Sequence, residues 1–172
     1  MKDNTSCCSC GSECCTPKQE RKVISIDFLY LDLSICERCQ GAETNLEGAI
    51  SDVSIVLKAA GFDIRINKIN VTSKELAVKN QFVSSPTIRI NGSDIAMEVK
   101  ETNCKDCGDL CGDNVDCRVW IYDGVEYTEP PKEFIINAIL KEVYSNKLEP
   151  KRQVEYKLPQ NLKKYFEALE NK

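Results

Sequence analysis

Residues 23–33, VISIDFLYLDL, carry apolar side chains at both odd and even positions and end two residues short of Cys36. A run of that kind fits a strand buried on both faces. Beyond it, Leu46, Ile50, Val53 and Leu57 recur at helical spacing as one apolar stripe, and Gly61 stops that helix as its C-terminal cap. In FDIRINKINV, Phe62, Ile64 and Ile66 alternate with Asp63 and Arg65, which reads as a second strand. Strand, helix and strand in this order make a βαβ unit, so the two strands are expected to be parallel. C-x-x-C, Cys36 to Cys39, sits where the strand hands over to the helix.

The later elements are marked by turn and cap chemistry. Thr72 opens a short helix, with Glu75 three residues on to complete a capping-box pattern. The apolar residues on both sides of Asn91-Gly92 in SSPTIRINGSDIAMEV predict a hairpin, and Pro86 stands directly before its first strand. VWIYDGVEY offers a smaller hairpin at Asp123-Gly124. PPKEFIINAILKEVY opens with proline in the first helical turn, and Phe134, Ala138, Ile139 and Val143 make its buried face. The core order is therefore β-α-β-α-β-β-α. Three regions follow: residues 1–22 as a flexible, cysteine-rich segment; 23–146 as one α/β domain containing an acidic, cysteine-rich insert at 101–117; and 147–172 as a tail. In that tail Leu158, Leu162, Phe166 and Leu169 fit one amphipathic helix around and after Pro159, either docked on its own domain, solvated, or bound to a partner.

Composition narrows the chemistry. A net charge of −4 gives no electrostatic reason to expect nucleic acid. The first apolar run starts only at Val23, is short and contains Asp27 and Asp32, so no signal peptide is read. No stretch approaches the roughly 18–20 apolar residues needed to cross a bilayer, and the cytoplasm is the expected location. The chain has 172 residues, 11 cysteines and no histidine. In a reducing compartment so many cysteines read as redox or metal ligands, and an odd count forbids complete pairing within one chain. Without histidine, Ser-His-Asp and Cys-His catalysis and His-ligated zinc are excluded.

Three cysteine groups carry what remains. At a helix N-terminus, the Cys36 thiolate is favoured by the helix dipole and free N–H groups, with Arg38 helping and Glu37 opposing. Cys39, one turn in, is expected to be the more buried and suits a resolving role. The competing reading is a pair of ordinary core thiols. The second group, Cys104, Cys107, Cys111 and Cys117 in CKDCGDLCGDNVDC, suits a tetrahedral zinc site on one short loop, with knuckle turns at Cys107-Gly108 and Cys111-Gly112. Disulfides, an auxiliary redox pair, or free thiols compete with it. Asp106, Asp109, Asp113 and Asp116 surround these thiols and favour a bound cation. The third group, Cys7, Cys8, Cys10, Cys14 and Cys15, suits soft ions of low coordination number such as Cu(I), Hg(II) or As(III), against an untidy tail with no specific role.

A C-x-x-C opening the first helix of this element order, with Pro86 before the third strand, resembles thioredoxin. That resemblance implies a redox pair at Cys36 and Cys39 and a cis-proline loop at Ser85-Pro86 that faces it as a substrate cradle. More closely, YLDLSICERC, FVSSPTIRINGSDI, DCRVWIYDGVEY and PPKEFIINAILKEVY resemble the thioredoxin-like family catalogued as domain of unknown function 2703, over about residues 23–146. The family implies the fold and no assigned reaction. Thioredoxin has Trp before its first cysteine and Gly-Pro between the two; here Ile35 precedes and Glu37-Arg38 intervene, which argues against a general protein-disulfide reductase.

Two functions follow. One is a thioredoxin-like thiol–disulfide redox protein with a specialised substrate, linked to soft-metal or metalloid handling, with Cys36 as nucleophile, Cys39 as resolving thiol and Pro86 facing the substrate. The other is a non-catalytic, thiol-rich carrier of As, Hg, Cu or Zn. The expected partners are accordingly a redox partner protein or the metal or metalloid itself. Nothing in the sequence fixes an oligomeric state.

Overall fold

The computed structural model describes residues 21–111, 115–145 and 155–171. The chain is mixed α/β. In order it has β1 (Lys22–Tyr30), α1 (Glu37–Ala59), β2 (Phe62–Asn70), α2 (Lys74–Lys79), β3 (Thr87–Ile90) and β4 (Ser93–Asp94). There follow β5 (Lys100–Cys104), α3 (Lys105–Cys111), β6 (Val115–Tyr122), β7 (Val125–Tyr127), α4 (Lys132–Tyr144) and α5 (Gln160–Glu170). One sheet has the order β2-β1-β3-β4 and a second the order β5-β6-β7. As the βαβ pattern predicts, β1 and β2 are parallel, with Lys22 opposite Phe62 and Tyr30 opposite Asn70. β3 lies antiparallel on the other side of β1.

The two parities of β1 feed two cores. Ile24, Ile26 and Phe28 pack with Ala42, Leu46, Ala49, Val53 and Leu57 of α1 and with Ile135 and Ile139 of α4. Leu29, and Leu31 just beyond the strand, join a second cluster with Val71, Ala77, Phe82, five cysteines, and Leu162, Tyr165 and Phe166 of α5. The α1 stripe is as predicted except that Ala49 is fully buried and Ile50 only partly so. Each large side chain buried this way contributes roughly 1.5–3 kcal/mol. The C-terminal end of β1 therefore leads from an aliphatic core into a sulfur-rich one.

Local signals account for the connections. Gly61, at φ +86°, closes α1 by sending its N–H to the carbonyl of Lys58. Asn91-Gly92 and Asp123-Gly124 all have positive φ and form two-residue hairpin loops between β3 and β4 and between β6 and β7. The cap of α2 is Ser73, not Thr72: the Ser73 hydroxyl accepts the Leu76 N–H at 3.3 Å because it stands directly before the first helical residue. On α4, Ile135 and Ile139 are fully buried, while Phe134, Ala138 and Val143 cover the edges of that contact. β4 is shorter than the hairpin pattern suggests, since the Asp94 carboxylate accepts the Ala96 N–H and turns the chain away.

The cysteine-rich insert is not a single loop. β5 and β6 pair antiparallel, Thr102 opposite Cys117 and Cys104 opposite Val115, and α3 fills the connection. Gly108 lies inside α3, so no knuckle turn forms there; Gly112 lies outside the described residues. The predicted tail helix exists as α5 and docks on the domain through Leu162, Tyr165 and Phe166. Among the described residues, no helix is long and apolar enough to cross a membrane.

Candidate metal centre

Cys36 is the N-cap of α1, with extended backbone (φ −83°, ψ 103°) and a sulfur that accepts the Cys39 N–H at 3.4 Å. The pattern places it there because β1 ends in a turn held by Asp32, whose carboxylate accepts the Ser34 N–H at 2.6 Å. Cys104 ends β5, Cys107 lies one turn into α3, and Cys117 lies on β6. The three elements converge on the mouth of α1. The sulfurs of Cys36, Cys104, Cys107 and Cys117 all lie within 4.8 Å of one another, and those of Cys107 and Cys117 are 3.6 Å apart. All four residues are buried, none more than 2% exposed. They are free thiols, as is Cys39.

Four sulfurs at the corners of a tetrahedron around zinc, each about 2.3 Å from the ion, are about 3.8 Å from one another. The group matches that spacing closely enough to close on such an ion. Its electrostatics point the same way. Hydrogen bonds from Cys104, then Cys107, Cys117 and Cys39, push the Cys36 thiol far below its ordinary range. Cys104 is lowered to about 7 by Cys107 and Cys117. Cys107 and Cys117 are pushed up, each chiefly by its hydrogen bond to Cys104, and Cys39 is pushed up by its hydrogen bond to Cys36 and by burial. Negative charge thus gathers on part of the group while the other sulfurs donate to it. A bound cation would remove the remaining protons.

The surrounding shell ties α1 to the insert. Arg38 spans the gap: Nη1 donates to the Thr102 hydroxyl at 2.9 Å and, at 3.4 Å, to the Cys117 carbonyl, and Nη2 donates to the Asn103 carbonyl at 2.9 Å. This guanidinium is spent on the insert backbone, so it acts as a clamp and not as the simple counter-charge expected for Cys36. Asp106 accepts the Glu37 N–H at 2.9 Å and joins α3 to the first turn of α1. From α5, Asn161 exchanges two bonds with the backbone of Asp116, N–H to Oδ1 at 3.0 Å and Nδ2 to carbonyl at 2.7 Å.

The C-x-x-C pair is split by this arrangement. Cys36 belongs to the four-thiol group; Cys39 is fully buried beside it and meets the Ser85 hydroxyl at 3.4 Å. Neither thiol reaches solvent: Cys39 lies deep, as expected one turn into α1, and Cys36 shares a buried cluster with the insert cysteines and α5. The Ser85–Pro86 peptide is cis, and Ser85 also receives the Leu31 N–H on its hydroxyl and the Arg118 N–H on its carbonyl. Of the insert cysteines predicted to share a site, Cys104, Cys107 and Cys117 come together. The Cys111 side chain lies outside the described residues, as do Cys7, Cys8, Cys10, Cys14 and Cys15.

The model of a family described as a domain of unknown function (DUF2703) matches residues 24–139. The chain belongs to that family. In this DUF2703 member the matched span holds all four clustered cysteines, while α5, which covers them, lies beyond it. No curated protein and no solved structure matches the chain.

Sequence spacing alone missed two roles in the site. Cys36 as a partner of the insert and Asn161 as an anchor depend on contacts across 45 or more positions, whereas Ser85 beside the thiols was expected from the thioredoxin resemblance. Arg38 and Asp106 stood out only as charges near thiols.

Proposed function

We propose that this chain is a metal–thiolate protein on a thioredoxin-like scaffold, holding one zinc ion through Cys36, Cys104, Cys107 and Cys117. The observation that carries the proposal is the mutual approach of four buried sulfurs within 4.8 Å, supplied by α1, β5, α3 and β6. Four protein thiolates fill the coordination of zinc and leave no position for substrate, so the centre binds and organises and does not act as an open catalytic site. The scaffold reading is supported by the β2-β1-β3-β4 order, by Cys36 capping α1 and by the cis Ser85–Pro86 bond beside Cys39. Cys36 takes the place that spacing gave to Cys111. The N-terminal cysteines are a second, separate set for soft ions, and their occupancy would raise the stoichiometry above one.

The test is metal analysis and cobalt(II) substitution of the full chain and its Cys→Ser variants. We expect one tightly held zinc, tetrahedral tetrathiolate cobalt bands, and at least about 100-fold weaker binding in Cys36→Ser, Cys104→Ser, Cys107→Ser and Cys117→Ser. Cys111→Ser should bind as the parent does. Full binding by Cys36→Ser together with loss in Cys111→Ser would return the site to the insert alone. Iron, visible by its charge-transfer colour, would replace the ion and keep the four-thiolate set.

A second reading is thiol–disulfide exchange with Cys36 as nucleophile, Cys39 as resolving thiol and Pro86 facing the substrate. It is favoured by the Cys39 N–H donated to the Cys36 sulfur at the start of α1. The complete burial of both thiols weighs against a protein disulfide as substrate. Trapping of a mixed disulfide by Cys39→Ser, and not by Cys36→Ser, would support it.

A further inference from the structure

Cys36 belongs to two groups at once. Its sulfur is one corner of the four-thiol centre, and it also faces the first turn of α1, where Cys39 follows three residues later. Cys39 is buried, free and outside the metal group, and among the described residues its sulfur's polar contact beyond its C-x-x-C partner is the Ser85 hydroxyl at 3.4 Å. Metal binding has no use for it. Residues i and i+3 of a helical turn have Cα atoms about 5 Å apart, inside the range a disulfide requires. Cys36 can thus be a metal ligand or half of a Cys36–Cys39 disulfide, but not both.

We propose that the protein has a further activity, release of its metal ion on oxidation by a small hydroperoxide, through a Cys36–Cys39 disulfide. The proposal rests on the four-thiolate reading above. Both sulfurs are shielded from solvent, which selects an oxidant of hydrogen-peroxide size over a protein disulfide. The Cys36 thiolate attacks one peroxide oxygen. An S–O bond forms, the O–O bond breaks, and the departing hydroxide takes a proton from solvent to become water. Cys36 is now a sulfenic acid, oxidised by the two electrons that reduced the peroxide. The Cys39 sulfur then attacks the Cys36 sulfur. The S–S bond forms, the S–O bond breaks, and the hydroxyl leaves with the Cys39 proton as a second water. Cys104, Cys107 and Cys117 remain as three thiolates, and the fourth position opens to water and to exchange. A dithiol reductant returns the two electrons and restores the fourth ligand.

The close approach of Cys107 and Cys117, 3.6 Å between sulfurs, makes a different disulfide the main rival. The experiment uses the full chain loaded with one zinc, treated with hydrogen peroxide. Zinc release is followed with a chromophoric chelator, and disulfides are mapped by peptide mass spectrometry. Wild type should release zinc together with a Cys36–Cys39 disulfide and recapture it after a dithiol is added. Cys39→Ser and Cys39→Ala should bind zinc one-to-one before oxidation and release it at least about tenfold more slowly. Equal release rates, or a Cys107–Cys117 disulfide in wild type, would overturn the proposal and leave the metal centre standing. Failure of wild type to take up zinc before any peroxide is added would overturn the four-thiolate reading, and the release activity with it.

Discussion

Arg118 sets up a comparison in which an uncharged replacement is expected to do less harm than loss of its partner. Its side chain is completely buried on β6, directly after Cys117, and Nη1 donates to both Asp94 carboxylate oxygens at 2.8 and 2.9 Å. Nε and Nη2 have no partner among the described residues, and the guanidinium lies 5.2 Å from the Trp120 ring centre. The Asp94 side chain is 24% exposed. Asp94→Asn keeps the shape and removes the counter-charge, leaving a buried cation; breaking a buried pair in this way costs about 3–5 kcal/mol. The residual exposure of Asp94 and the oxygen that Asn retains favour the lower end, about 3 kcal/mol. In a protein of this size that lowers Tm by about 6–12 °C. Arg118→Met removes the cation together with its two unpartnered nitrogens and leaves a carboxylate that water can reach, so its cost is about 0–2 kcal/mol. Urea unfolding of both variants and the double variant, with zinc held saturating, gives the comparison. The double variant should be no less stable than Arg118→Met. Arg118→Met as damaging as Asp94→Asn, or a double variant showing the sum of both losses, would refute the reasoning.

Three further outcomes follow from the shell of the centre. Asn161→Ala removes both bonds to the Asp116 backbone, should cost about 1–3 kcal/mol, and should speed thiol labelling of the metal-free protein as α5 undocks; unchanged labelling would mean that the apolar face of α5 holds it alone. Arg38→Ala should weaken zinc by about 10–100-fold at an unchanged stoichiometry of one, measured by competition with a chelator, because the clamp between α1 and the insert is lost and the ligands are not. Zinc affinity should rise with pH, since coordination expels the thiol protons. Proton release measured by calorimetry in buffers of different ionisation enthalpy should be positive, and a pH-independent affinity would contradict a thiolate site.

What could be read from sequence was local. Gly61, Asn91-Gly92 and Asp123-Gly124 impose positive φ within a few residues, and the βαβ unit follows from two apolar runs and one stripe. The parity of β1 foretold burial on both faces, which holds on the even face at Ile24, Ile26 and Phe28 but on the odd face only at Leu29, Val23 being exposed; nothing in it foretold the sulfur beside Leu29. Thr72 and Ser73 are chemically equivalent caps one position apart, so propensity had no means to choose. The insert was harder. Its cysteines lie close enough in sequence to suggest a self-contained site, and spacing assigned the fourth place to Cys111. Antiparallel pairing of β5 with β6, and the Arg38 and Asp106 contacts, bring Cys36 to that place, and such contacts leave no periodic trace.

The proposed choice of Cys36 over a local cysteine would change what an ion does to the molecule. A site confined to the insert would order that hairpin and little else. With Cys36 as a ligand, the ion joins β5, α3 and β6 to the first turn of α1, whose far side carries Leu46, Val53 and Leu57 into the main core. Metal binding is then linked to folding of the whole domain. At free zinc 100 times the dissociation constant the linkage is worth about 2.7 kcal/mol. Stripping the ion should therefore lower Tm of the entire cooperative transition by about 5–11 °C. A transition recorded at the Trp120 fluorescence, a residue of the main core, should move in step with far-UV circular dichroism. If chelation left the Trp120 transition in place and only loosened residues 101–117, the ion would belong to the insert alone, and Cys36 would be free for redox chemistry at all times.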